Sequence, residues 1–190
     1  MANLAFTDLL RVVCEQLDAL NVRYAITGSV ASSLYSEPHQ TNDIDICVVM
    51  SEQQARRLAA ALPPRFYRSV EAMVDAAQRR SMANILDSDT GLKVDLCILP
   101  DEPYYQSVFA RAVKNEYPPG GASFWTVSPE DVVLMKLLWR KDSRSQKQWS
   151  NALSVVRCRG ARLDWAYLQE WADTLDLGAD LQNLASEGGV

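Results

Sequence analysis

Two apolar segments with acids set into them constrain this chain more than any other feature of its sequence. They are Asp43-Ile44-Asp45-Ile46-Cys47-Val48-Val49-Met50 and Lys93-Val94-Asp95-Leu96-Cys97-Ile98-Leu99. Each has the length and composition of a strand buried in a sheet. Strand side chains alternate between faces, so Asp43 and Asp45 project from the same side. Two neighbouring anions on so apolar a strand are costly unless they are protonated, hydrogen-bonded or bound to cations. A divalent metal resolves that conflict, and an acidic strand end exposed at the sheet rim is the alternative. If the second strand pairs beside the first, Asp95 joins the other two. Three carboxylates on neighbouring strands can hold one or two magnesium ions for in-line displacement at phosphorus.

The rest of the sequence narrows the chemistry further. His39 is the only histidine, so an HExxH zinc site and any cluster of two imidazoles are excluded. A Ser-His-Asp triad would need His39 and has no GxSxG turn to supply its serine. The four cysteines are scattered without a CxxC pair, which suits a reducing, cytoplasmic setting. The opening Met1-Ala2-Asn3-Leu4-Ala5-Phe6 lacks a basic stretch before an apolar core, so no signal peptide is expected. No apolar run is long enough to span a membrane. A net charge of -5 argues against a general nucleic-acid coat protein. Yet Lys136 to Arg162 holds eight basic residues against the single acid Asp142. That segment is either a solvated basic helix face or a local landing site for phosphates.

Periodicity divides the chain into an α/β beginning, residues 1–125, and a helical C-terminal region, residues 126–190, expected to pack on it. Helices are predicted near 3–20, from Ser29 to about Tyr35, and over 51–62 and 71–80. Strands are predicted over 22–26, 43–50, 66–70, 83–87 and 92–99, the last two joined by the hairpin signal Asp89-Thr90-Gly91. Pro63-Pro64 stops the helix before it. In the second region Ser128-Pro129-Glu130-Asp131 is a helix start, with serine as cap and proline at the first helical position. Ser145 to Gln148 repeats the capping pattern, and Asp164-Trp165 opens a further helix. All five tryptophans fall from Trp125 onward; Tyr167, Leu168 and Trp171 are read as core packing.

Ile26-Thr27-Gly28-Ser29 is a strand that runs through Gly-Ser directly into a helix. Backbone N–H groups and the positive end of that helix would face a phosphate placed there. Gly28-Ser29, then Asp-x-Asp about 14 residues on, then a later apolar strand with an acid, is a specific set. The set resembles the nucleotidyltransferase fold of the DNA polymerase beta superfamily, and is more closely similar to the minimal bacterial nucleotidyltransferases of the AbiEii/AbiGii toxin-like group. The resemblance runs through Gly28 to Tyr35, Thr41 to Ile46 and Gly91 to Leu96. It continues in Ser128 to Asp131, Lys136-Leu137, Gln148-Trp149 and Leu163 to Ala172.

The resemblance implies an α/β (α+β) fold, a mixed sheet flanked by helices with a helical C-terminal region. It also implies transfer of a nucleoside monophosphate from an NTP, with Mg²⁺, to an acceptor hydroxyl. Gly28 and Ser29 would hold the triphosphate, and Asp43, Asp45 and Asp95 the metal. Asp95 would help deprotonate the acceptor, and Lys136 would neutralise phosphate charge; an exposed helix lysine is the other reading of Lys136. The acceptor would be tRNA, reached through the basic segment, or a protein, and an antitoxin partner would accompany a toxin. A small molecule such as an antibiotic is an alternative acceptor, and a non-catalytic binding module an alternative function. The loop before Asp43 carries His39 where the family often has arginine, which leaves His39 as a loop residue. Asp142 is either the acid of the family's helical motif or a turn residue.

Overall fold

The computed structural model describes residues 4–37, 41–117 and 120–190. It groups the chain into two units, residues 1–27 with 41–126, and residues 28–40 with 127–190.

In the first unit, α1 (Leu4–Ala19) buries Phe6, Leu9, Leu10, Val13, Cys14 and Leu17, the apolar stripe of an amphipathic helix. Asn21, at a φ of 50°, turns the chain into β1 (Arg23–Ile26). Next come β2 (Asp43–Val49), α3 (Glu52–Ala61), β3 (Phe66–Tyr67), α4 (Val70–Arg79), β4 (Met82–Asp87) and β5 (Lys93–Ile98). A capping box starts α3, Ser51 accepting from the Gln54 amide while the Gln54 side chain returns to Ser51. The expected strand over 66–70 is only two residues long, because Ser69 is taken as the N-cap of α4. Three elements were not expected: α5 (Pro103–Ala110), β6 (Val113–Tyr117) and β7 (Ala122–Thr126).

The strands form one mixed sheet in the order β3-β4-β5-β2-β1-β7-β6. β2 lies inside it, antiparallel to β1 and parallel to β5. Ile44, Ile46, Ile85, Val94 and Leu96 are completely buried on one face. The other face carries Asp43, Asp45, Asn84 and Asp95, in register across three strands. The turn between β4 and β5 closes with the Asp87 amide on the Leu92 carbonyl, 2.8 Å, and Gly91 supplies its positive φ of 73°.

The second unit is helical. It contains α2 (Gly28–Tyr35), α6 (Pro129–Ser143), α7 (Gln146–Arg159), a 3₁₀ turn (Gly160–Arg162), α8 (Trp165–Thr174) and α9 (Gly178–Gly188). The predicted caps Ser128 and Ser145 accept from the amides of Asp131 and Gln148, and Asp164, at the expected start of α8, accepts from that of Tyr167. The Tyr35 hydroxyl ties α2 to the Val127 carbonyl at 2.9 Å, and Arg159 reaches the Leu34 carbonyl. Among the described residues no helix is long and apolar enough to cross a membrane.

Candidate functional site

The register of β2 against β5 builds the acidic face. Asp45 stands opposite Asp95 and Asp43 opposite Lys93, while β4 sets Asn84 opposite Asp95. The buried residues between them, Ile44 and Ile46 on β2 and Val94 and Leu96 on β5, fix this choice. A slip of one residue would send every acid into the core. The backbone is held as well, with the Thr27 amide on the Asp45 carbonyl at 2.9 Å.

The three carboxylates differ in surroundings. The Asp43 side chain is 57% exposed and the Asp95 side chain 10%; Asp45 is intermediate. The expectation of two adjacent buried anions on β2 is therefore corrected. β2 is apolar because its other face is core, and its first acid lies at the open end of the strand. The burial cost falls on Asp95, whose two oxygens are both engaged. Asn84 Nδ2 donates to Oδ1, and Lys93 Nζ lies 2.9 Å from Oδ2. The same ammonium is 3.8 Å from Asp43. The hydrogen bond to Asp95, reinforced by the nearby charges, raises the Lys93 pKa above its ordinary value and keeps the ammonium charged. Burial, reinforced by Asp45 and Asp95, pushes the Cys97 thiol up to about 12, which leaves it inert as a nucleophile.

Lys93 and Asn84 fall in predicted strands but have no role at the site in the sequence reading. Lys93 was detectable, since two residues before Asp95 on a strand means the same face. Asn84 required the register of the β4–β5 hairpin.

The second unit holds the other expected residues. Gly28 opens α2 at a φ of 62°, a conformation glycine adopts without strain. The Ser29 carbonyl accepts from the hydroxyls of Ser32 and Ser33. Lys136 is 3% exposed, which corrects its alternative reading as a solvent-facing helix lysine; its ammonium lies 5.6 Å from the Trp139 ring centre. Acids of the same unit pair with some of the basic segment. Arg140 meets Asp180 at 3.2 Å, Lys141 meets Asp176 at 3.7 Å and Arg157 meets Glu187 at 4.0 Å. Leu168 is core as expected, while Tyr167 is half-buried and its hydroxyl donates to Asp131. His39 and the Asp142 side chain lie outside the described residues.

Among the described residues, no group of three or more His, Cys, Asp or Glu side chains is arranged to hold a metal ion. The register instead supplies a pair, Asp45 and Asp95, with Asp43 two residues along β2. A small hard cation that binds through one or two carboxylates and keeps the rest of its shell for water and phosphate oxygens fits such a donor set. The group it would have to displace from Asp95 is the Lys93 ammonium.

No protein-family model matches the chain, and no curated protein matches it. Solved structures do. An antigenic nucleotidyltransferase-like protein from Paracoccidioides brasiliensis aligns over 96% of this chain and 92% of its own, at 17% identity and a TM-score of 0.54. The antibiotic-resistance factor ANT(2'')-Ia aligns over 94% of this chain and 92% of its own, at 12% identity and a TM-score of 0.53. Likeness at such low identity establishes the fold, and the mixed sheet flanked by helices is the fold the sequence reading expected.

Proposed function

We propose that the protein is a Mg²⁺-dependent nucleotidyltransferase that moves a nucleoside monophosphate from an NTP to an acceptor hydroxyl. The observation that carries this reading is the register pair of Asp45 and Asp95 on one face of the sheet, with Asp43 beside it. In the reaction the acceptor oxygen bonds to the α-phosphorus, the bond to the bridging oxygen breaks, and pyrophosphate leaves. Asp43, Asp45 and Asp95 are assigned to Mg²⁺, which would supply charge neutralisation at the reacting phosphate. Asp95 is assigned the hydroxyl proton. Asn84 fixes the orientation of its carboxylate. Gly28 and Ser29 are assigned to the triphosphate through backbone amides at the start of α2. Lys136 keeps its proposed role against phosphate charge, now as a buried lysine.

For the acceptor we propose tRNA or a protein, as in the toxin-like group, with an antitoxin as partner. The ion pairs of Arg140, Lys141 and Arg157 favour a second reading, a small hydroxyl-bearing acceptor, because they leave less free charge for an RNA backbone.

Label transfer from each α-³²P NTP, with Mg²⁺, tests the reading on total tRNA, on the protein itself and on small hydroxyl compounds. An Asp43→Ala/Asp45→Ala double variant runs alongside. Label with wild type alone is the expected result, and the labelled species names the acceptor class. No label on any acceptor, together with no Mg²⁺-dependent NTP binding in calorimetry, would replace the enzyme with a non-catalytic module.

A further inference from the structure

Lys93 stands where a metal ion's charge would be needed. Its ammonium bonds Asp95 Oδ2 at 2.9 Å and lies 3.8 Å from Asp43 Oδ1, so one cation on a flexible stem serves two of the three carboxylates. The other oxygen of Asp95 is taken by Asn84. The two partners differ in mobility. Asn84 has a short side chain on the neighbouring strand, held directly opposite Asp95 by the backbone register. Lys93 has four rotatable methylenes, and its side chain is 35% exposed. It can swing into water and leave Asp95 fixed in place.

We propose that Lys93 is a tethered counter-cation that competes with a divalent metal ion for Asp95, and so sets the affinity of the carboxylate face for that ion. The inference rests on the metal-binding reading of Asp45 and Asp95 above. Without metal, Lys93 relieves the mutual repulsion of the acids and keeps the face assembled. When a divalent cation arrives, Asp95 exchanges the ammonium for it, and Lys93 turns toward solvent while Asn84 keeps the carboxylate aimed. Net charge at the site then changes by a single unit on loading instead of two, and an ion bound without a phosphate ligand is held weakly.

The test measures Mn²⁺ binding to the full chain by electron paramagnetic resonance. Lys93→Met should bind Mn²⁺ about tenfold more tightly than wild type, the order expected when a charge-assisted hydrogen bond no longer has to be broken. Lys93→Arg, which keeps the charge, should stay near wild type. Lys114→Met removes a like charge elsewhere on the sheet, and should change nothing. Asp45→Asn should lose the ion. Equal or weaker binding by Lys93→Met, with Asp45→Asn still silent, overturns the role of Lys93 and leaves the metal-binding reading intact. No binding by wild type and Lys93→Met alike overturns that reading, and this inference with it. A measurement on the wild-type chain guards against a variant that fails to fold. The ¹³Cε resonance of Lys93 should move as Mg²⁺ is added, and a resonance unmoved at saturating Mg²⁺ overturns the exchange.

Discussion

The two units both place acids at the start or middle of an apolar element, and treat them in opposite ways. In the second unit Asp131 is completely buried, and short hydroxyl donors reach both of its oxygens: Ser128 Oγ lies 2.6 Å from one and the Tyr167 hydroxyl 2.8 Å from the other. Glu130, 5% exposed, accepts the Asp164 amide at 3.0 Å. These acids join the start of α6 to α8. In the first unit Asp43 and Asp45 keep access to solvent, and the buried one, Asp95, is paired with the long, partly exposed side chain of Lys93 and with Asn84. An acid enclosed at a helix start and reached by short, fixed hydroxyls is part of the packing. An acid on an open face, held by a cation on a long stem, can change partners.

The largest expected effect separates the two sets. Asp131→Ala leaves the buried Ser128 hydroxyl and the half-buried Tyr167 hydroxyl without this acceptor, and should cost about 3 kcal/mol in urea unfolding. Asp45→Ala should change stability by no more than about 0.5 kcal/mol while lowering nucleotidyl transfer at least about a hundredfold. If Asp45→Ala costs as much stability as Asp131→Ala, both acids are structural and the comparison collapses. Tyr167→Phe is a milder probe of the same network. It removes one hydrogen bond and no packing volume, so about 1 kcal/mol should be lost. A loss near zero would mean that Asp131 is satisfied without the Tyr167 hydroxyl.

What could be read in the sequence follows the same division. The apolar runs of β2 and β5 announce themselves, because their hydrophobic alternates are core in any pairing. The caps at Ser128, Ser145 and Asp164 are local chemistry, and local chemistry is legible. The hairpin of β6 and β7 was missed. Lys114, Asn115 and Glu116 are half-buried or exposed and give no apolar alternation, and the Pro118-Pro119-Gly120-Gly121 between the strands reads as a boundary. α5 has a proline at its start but Glu102 as a cap that makes no side-chain hydrogen bond, so it carries only half of the signal that marked α6. At the site, Asp43, Asp45 and Asp95 could be named from strand period, but how exposed each is depends on which strands flank it. The partnership of Asn84 and Asp95 joins residues 11 apart through a register that only the folded hairpin sets.

The smallest expected effect uses a third kind of carboxylate, one held by cations away from the acidic face. Asp8 on α1 pairs with Arg65 and with Arg11, the latter at 2.8 Å. The Arg65 hydrogen bond, followed by that of Arg11, holds the Asp8 carboxyl below its ordinary value of 3.8. With the folded pKa depressed, the pair stabilises the fold above the unfolded pKa. That stability is lost as pH falls from there through the folded pKa. The Asp8 side chain is 38% exposed, so solvent screening holds the contribution to about 1 kcal/mol or less. Asp8→Asn should therefore be slightly less stable than wild type at neutral pH, and the gap should narrow as pH is lowered to about 3. High salt should narrow it as well. A gap that is constant with pH would assign the loss to packing of α1 rather than to charge. Metal ions supply the sharper contrast: divalent cations should raise the melting temperature of Asp8→Asn as much as that of wild type, whereas Asp45→Asn should lose the response. Loss of that response in Asp45→Asn alone would make the open face with Lys93 beside it, and not a cationic neighbour by itself, the mark of the proposed metal site.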